Sequence, residues 1–328
     1  MDFKEITSSK KFFRSMRELS FEEAKQIEDN HFIDDRFINL CKLVLKRYLI
    51  DFINLFLKKK KEYDINRSIE NVKSKYDNIS GSYIEFHGDN EDNKFTGYNH
   101  YDKKPYLIDG GSLSSPANII SQLYNHYDLK SIIEIGAGEL TTLFPVLQKI
   151  KKVDFVAGLD LSFKRLQKGK NFLDNNKKKI NQLVACDASN LPYKDNSFDL
   201  VFTHYCIEQV PLLAKQIISE MIRISSKYVI VIEPSYEFSN KITKARILNK
   251  GFPILKKSHF KNTKSKIIYR DGLPFTRYAL YGEVTIIEKI DKISGKPKLC
   301  HPITKKNIEL NNDIRIKVKD GIIDLSSF

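Results

Sequence analysis

The residues best suited to chemistry in this chain are acids and glycines that recur directly after short apolar runs. In SIIEIGAGELTTLFP, residues 131–145, Glu134 precedes Gly136, Ala137 and Gly138, and a helical stretch opens at Thr141. Glycine reaches positive φ and lets a ligand approach the backbone, so two at this spacing suit a turn that cradles a ligand. Asp160 ends the next run, VDFVAGLD, 24 residues after Gly136. Its carboxylate offers two acceptor oxygens, enough to hold two neighbouring hydroxyls. Asp187 closes a third run, INQLVACD, where it can accept from an amino group. A fourth run, SFDLVFTHY, ends near His204, and Glu208 follows in THYCIEQV. Both are residue types that take a proton when their environment tunes them.

Rigid elements must stand behind these residues. SIIEI, VDFVAGLD, INQLVACD, SFDLVFTHY and KYVIVIEP read as strands, and SFKRLQKGKNFLDNN and LLAKQIISEMIRISS as helices between them. That alternation predicts an α/β fold with a doubly wound, mostly parallel sheet, closed by KSKIIYR and EVTIIEKI. In such sheets ligands bind beyond the carboxyl ends of the strands, where the acids and glycines fall. Pro145 is tolerated only in a first helical turn, which places a helix start here, with Thr141 or Thr142 as its cap.

Residues 1–87 read as helical, and INLCKLVLKRYLIDFINLFLKKKK has a wide apolar face beside a narrow polar stripe. HGDNEDNKFTGYNHYDKKPYLIDGGSLSSP reads as a long loop, yet it carries Phe95, Tyr98, His100, Tyr101 and Tyr106, so a lid is expected. The expected organisation is therefore a helical region with a lid over 1–116, a core over 117–290 and a small β-rich tail over 291–328.

The glycine turn and Asp160 suit two cofactor classes, dinucleotides and S-adenosylmethionine. A GxGxxG fingerprint needs glycine where Thr141 stands. Further on, ACDASNLPYKDNSFDLVF adds an acid after the third strand and a LPYKDNSFDLV run into the fourth. With these motifs in order over about residues 117–235, the chain resembles the class I S-adenosylmethionine-dependent methyltransferases, in the small-molecule branch that carries LPFxDxSFDxV-type sequences. The resemblance implies a Rossmann-like fold with a seven-stranded, mostly parallel sheet, here with a helical N-terminal extension and a small β C-terminal tail. It implies that Glu134, Gly136, Ala137 and Gly138 line the methionine part of the cofactor. It gives Asp160, with Leu161 beside it, to the ribose, and Asp187 and the backbone of Ala188 to adenine. His204 would face the methionine or the acceptor. Leu140 departs from the pattern, since many members have a third glycine there, and this leaves the turn geometry open. The tail, KLCHPITKKNIEL…IKVKDGIIDL, is similar to short zinc-ribbon-like modules. Only Cys300 and His301 remain of any ligand set, so no metal is expected, and the tail should pack on the core or present the acceptor.

A sulfonium cofactor brings its own electrophilic methyl group, so the protein has to align the acceptor and take up its proton. His204 and then Glu208 are the candidate bases, with Tyr101 from the lid as a further candidate. No Asn/Asp-Pro-Pro-aromatic sequence follows the fourth strand, and Cys206 follows no proline, which argues against two nucleic-acid-modifying chemistries. The four cysteines form no CxxC pair, so neither a disulfide framework nor a zinc site is suggested. The net charge is +14, and from Lys241 to Arg270 there are ten basic residues and no acid. Such a block can steer an anion. The expected acceptor is accordingly a small molecule, with a phosphorylated or sugar-linked anion favoured and Lys256 and Lys257 as its guides. An RNA acceptor and a non-catalytic, S-adenosylmethionine-binding subunit stay open as alternatives. MDFKEITSSKKFFRSM has no signal-type stretch, and YLIDFINLFL is short and broken by Asp51 and Asn54, so a cytoplasmic protein without an integral membrane segment is expected.

Overall fold

The structure is a computed structural model that describes residues 16–29, 45, 49, 67–87, 94–109, 111–277, 280–293, 295–308 and 316–328. The amphipathic run at 38–61, apart from Leu45 and Leu49, lies outside the described residues, as does Cys41.

Strand β1 (Met16–Glu18) leads into helix α1 (Phe21–Asp29), which starts at a capping box. Glu23 N donates to Ser20 Oγ at 3.1 Å, and Ser20 N donates to Glu23 Oε2 at 2.8 Å. Helix α2 (Ile69–Asn78) is capped by the Ser68 side chain, and α3 (Ser82–His87) follows Gly81. Strands β2 (Lys94–Asn99) and β3 (Pro105–Asp109) pair antiparallel before α4 (Ser114–His126). The alternating region then runs β4 (Ser131–Ile135), α5 (Leu143–Lys149), β5 (Phe155–Asp160), α6 (Phe163–Asn175), β6 (Gln182–Ala185), β7 (Phe198–His204), α7 (Ala214–Ile224) and β8 (Ser225–Pro234). Helix α8 (Lys241–Lys250) is capped by Asn240 and stopped by Gly251 in the left-handed region. Strands β9 (Ser265–Gly272), β10 (Phe275–Thr276) and β11 (Gly282–Lys289) follow, and β12 (Lys317–Lys319) and β13 (Ile322–Asp324) form the tail.

The large sheet has nine strands in the order β12-β13-β6-β5-β4-β7-β8-β11-β9. The expected seven-stranded sheet is its stretch from β6 to β9, with β4, β5, β6, β7 and β8 parallel and β11 antiparallel to β8. The tail extends it, because β13 pairs parallel with β6 and β12 folds back on β13. Every residue of β4 is buried, as a central strand covered on both faces requires. Helices α4, α5 and α6 cover one face and α7 the other. Each fully buried Ile or Leu in these layers contributes about 1.5–3 kcal/mol. Among the described residues, no helix is long and apolar enough to cross a membrane.

Within the segment expected to be a long loop, residues 94–109 form a hairpin. It joins a four-stranded antiparallel sheet, ordered β1-β3-β2-β10, around Phe95, Tyr106, Ile108 and Phe275. Its tight turn is held by Asn99 Oδ1, which accepts from Tyr101 N at 2.7 Å and Asp102 N at 3.2 Å. The polar turn residues hid the strand alternation on either side of them. β10 lies within the expected core and β13 within the expected tail, so both units share sheets with their neighbours.

Candidate active site

A cavity of about 530 Å³ opens beyond the carboxyl ends of β4, β5 and β7. Here the strand order reverses, β5 lying on one side of β4 and β7 on the other. Glu134, Gly136, Ala137, Asp160, Leu161, Asp187, Ala188, His204 and Glu208 all line it. Gly138 takes part through its backbone, donating to Asp160 Oδ2 at 2.8 Å.

The turn after β4 is tightly determined. Gly136 has φ +72°, and a Cβ there would lie 2.3 Å from Cys206 Sγ. Gly138 has φ +51°, and its Cβ would lie 2.6 Å from the Arg165 guanidinium. Leu140 also adopts positive φ, +60°, although it carries a side chain. That conformation costs about 1–2 kcal/mol. Complete burial of Leu140 offsets it, by roughly 1.5–3 kcal/mol. Gly158 and Gly169 make the room: a Cβ on either would meet the Leu140 side chain at 2.9 or 2.8 Å. Thr142, expected as a side-chain cap, makes no capping bond, and its hydroxyl lies 3.1 Å from His204 Nδ1 instead.

The three acids are held differently. Asp160 Oδ1 accepts from Ser162 N at 2.8 Å, which leaves each oxygen of this carboxylate one further lone pair. Burial raises its pKa, while Arg165 and the two backbone donors pull it back. Asp187 caps a short turn, taking Ser189 N and Ser189 Oγ, each at 2.8 Å. Glu134 is 1% exposed, and its Oε2 is buried without a hydrogen-bond partner. Burial, with Asp160 nearby, pushes its pKa well up.

Residues 133–231 match the model of a family described as a methyltransferase domain. Over this stretch the chain is similar to methyltransferase domains. Among solved structures it is similar to a magnesium protoporphyrin IX methyltransferase from Synechocystis PCC 6803 with bound S-adenosylmethionine, at 15% identity over 70% of this chain and 100% of that chain, TM-score 0.44. It is also similar to the cyclase SpnF, at 12% identity over 70% of this chain and 98% of that chain, TM-score 0.49. A third is an S-adenosylmethionine-dependent methyltransferase from Aquifex aeolicus, at 11% identity over 52% of this chain and 88% of that chain, TM-score 0.37. The polar groups of the cavity are those that S-adenosylmethionine would need. A buried carboxylate oxygen with no donor, at Glu134, matches the ammonium of the methionine tail. The free lone pairs of Asp160 match a ribose diol, and those of Asp187 match an adenine amino group.

The candidate bases sit in different surroundings. His204 stacks on Tyr205 with ring centroids 4.4 Å apart, and burial lowers its pKa to about 3. It is a neutral hydrogen-bonding group at physiological pH and too weak a base to draw a proton efficiently. Glu208 is raised to about 7 by burial, and its Oε2 is buried with no partner. Tyr101 does not line the cavity. It sits in the β2–β3 turn, its hydroxyl 3.2 Å from that of Tyr269 and 3.5 Å from Asp271 Oδ2, because the hairpin carries its tip toward β9. His100 joins the same cluster through Asp271 at 3.2 Å. Cys206 packs against Gly136, and burial keeps its thiol protonated.

The cavity is covered by a segment that the sequence did not single out. Tyr76 of α2 and Tyr83, Phe86 and His87 of α3 line it. Glu139 fastens this segment to the glycine turn by accepting from Gly81 N at 3.0 Å and Ile84 N at 2.8 Å. Arg165 lies 4.9 Å from the Tyr76 ring and 4.4 Å from the Tyr83 ring. The only local signal was an acid directly after the second glycine, which has no distinctive spacing. The basic block also divides. Lys256 and Lys257 are exposed and do not line the cavity, and Arg270 is buried against Glu283 and Glu237. Arg246, and Arg277 beyond the block, are the arginines that reach the cavity wall at α8 and β10. Among the described residues of 291–328, none lines the cavity, and β13 packs on the sheet edge against β6.

Proposed function

We propose that this protein is an S-adenosylmethionine-dependent methyltransferase that modifies a small anionic metabolite bound at the α8 and β10 end of the cavity. The observation that carries the reading is the pair Arg246 and Arg277 in the cavity wall, beside Phe86, Leu273, Phe275 and Leu280. A guanidinium among apolar groups attracts an anion far more strongly than one in water, and its fork matches carboxylate or phosphate. Thr276 Oγ1, buried without a partner in the same wall, is a further hydrogen-bonding group for it. A volume of about 530 Å³ falls within the range of small-molecule sites, about 300–1,000 Å³.

Bound S-adenosylmethionine supplies an electrophilic methyl group. Glu134, Asp160 and Asp187 hold it, α2 and α3 exclude water, and the arginines orient the acceptor. The test is a labelled-methyl transfer screen against phosphorylated and carboxylated metabolites, run with and without nuclease. Transfer should survive nuclease, and Arg246→Ala with Arg277→Ala should raise the acceptor KM roughly ten- to a hundredfold while donor affinity is kept, as expected for lost charge-assisted bonds. Nuclease-sensitive transfer, or an unchanged KM, would overturn the reading.

A further inference from the structure

Glu208 lies in the short turn Ile207–Gln209 that follows β7, and its backbone is held from two sides. The Glu233 carboxylate accepts from Cys206 N at 2.9 Å, Ile207 N at 2.8 Å and Glu208 N at 3.1 Å. Arg67 Nη1 donates to the Glu208 carbonyl at 2.8 Å. Its side chain thus leaves a fixed base, as a group that must meet a reacting atom requires. One carboxylate oxygen, Oε1, accepts from Gln209 Nε2 at 2.6 Å. The other, Oε2, is buried with no partner although Glu208 lines the cavity. A buried oxygen left unpaired in this way is unfavourable unless a ligand donates to it.

The charged and titratable groups around Glu208 come from four directions. Arg67 and Lys75 face it from the α2 side and Arg246 from α8, all favouring its ionised form. Glu233 of β8, together with Tyr205 and Tyr76, shares the same surroundings. Burial outweighs the cations and brings the carboxyl to about 7. At neutral pH it is therefore part ionised, and proton transfer is best served by a group poised there.

We propose that Glu208 Oε2 is the proton acceptor of the reaction and that the acceptor molecule carries a protic nucleophile, an O–H or N–H group. This rests on the methyltransferase reading above and deepens it. Glu208 Oε2 takes the proton while the acceptor heteroatom bonds to the methyl carbon. The pair of the broken carbon–sulfur bond stays on sulfur, leaving a neutral thioether, a methylated acceptor and a protonated carboxyl. A carboxylate nucleophile has no proton to give and would be repelled by ionised Glu208. The acceptor's anionic group accordingly belongs on the arginines and its nucleophile on Glu208.

Two measurements on the full chain test this. In protein labelled with ¹³C at glutamate carboxyls, the resonance lost in Glu208→Gln should titrate near pH 7 in wild type, distinct from that of Glu233, with no acceptor needed. In labelled-methyl assays on a small-molecule extract, Glu208→Gln should lower transfer by about 10²–10⁴-fold and flatten its rise with pH. Calorimetric affinity for S-adenosylmethionine should stay unchanged, and the product should resist mild alkali. A Glu208 resonance in the ordinary carboxylate range, transfer by the variant within a few-fold of wild type, or an alkali-labile methyl ester product would each overturn the proposal. Failure of the wild-type protein to bind S-adenosylmethionine would instead overturn the reading beneath it.

Discussion

Replacing Glu139 by glutamine separates closure of the donor site from its chemistry. Glu139 is fully buried and accepts from Gly81 N, from Ile84 N and, at 3.3 Å, from Arg165 Nε. Gly81 N and Ile84 N belong to the start of α3, so an acid of the glycine turn caps a helix that covers the cavity. Glutamine keeps one acceptor oxygen and turns an N–H₂ toward a second donor. One charge-assisted bond is lost, worth about 1.5–3 kcal/mol. Arg165, 9% exposed at its side chain, also loses its paired charge. Breaking such a buried pair costs about 3–5 kcal/mol. That loss is partly offset here by Asp160 and by two aromatic faces, each worth about 0.5–2 kcal/mol. The net expectation is about 3 kcal/mol against closure, roughly a hundredfold in its equilibrium. Amide hydrogen exchange reads this directly. Gly81 and Ile84 should exchange about a hundredfold faster in Glu139→Gln, while amides of β4 keep their protection and S-adenosylmethionine binds more weakly. Unchanged exchange at Gly81 and Ile84, or equal loss in β4, would refute the capping role.

Gly136→Ala should lower Tm by several degrees, because it adds a Cβ 2.3 Å from Cys206 Sγ and 2.4 Å from Cys206 Cβ at φ +72°; Cys206→Ala, which keeps that Cβ, should restore little of the loss. Leu140→Gly should be net destabilising in denaturant titration, since the buried side chain is worth more than the roughly 1–2 kcal/mol of backbone strain it relieves. Glu208 has a raised folded pKa, so the folded protein binds its proton more tightly than the unfolded chain does. Its contribution to stability is therefore full below the ordinary carboxylate pKa and lost as pH rises through about 7. Wild type should lose stability relative to Glu208→Gln between about pH 4.5 and 7, measured by urea unfolding at stepped pH.

Much of the sheet and donor turn was legible because both depend on local pattern. Apolar runs such as SIIEI declare buried parallel strands, and a residue that ends one is placed at the carboxyl edge without further information. Glu134, Gly136, Asp160 and Asp187 were placed at that edge in this way, and they line the cavity. Tyr101 was misplaced because its hairpin read as a loop, and a loop carries no direction for its side chains. Lys256 and Lys257 drew attention through charge density, whereas the cavity takes Arg246 and Arg277, whose selection depends on how α8 and β10 pack. Glu139 was invisible for the same reason, since its backbone partners Gly81 and Ile84 lie more than fifty positions away. The left-handed Leu140 shows how a departure from pattern is absorbed: two glycines elsewhere in the chain, Gly158 and Gly169, vacate the space it fills.

Calorimetric titration with S-adenosylmethionine, comparing wild type with Asp160→Ala and using NADH as control, tests the donor site most directly. The expected result is one-site binding to wild type, no heat with NADH, and at least about tenfold weaker binding to Asp160→Ala, as loss of a charge-assisted bond implies. Binding of NADH in place of S-adenosylmethionine, or equal affinity in Asp160→Ala, would contradict the assignment.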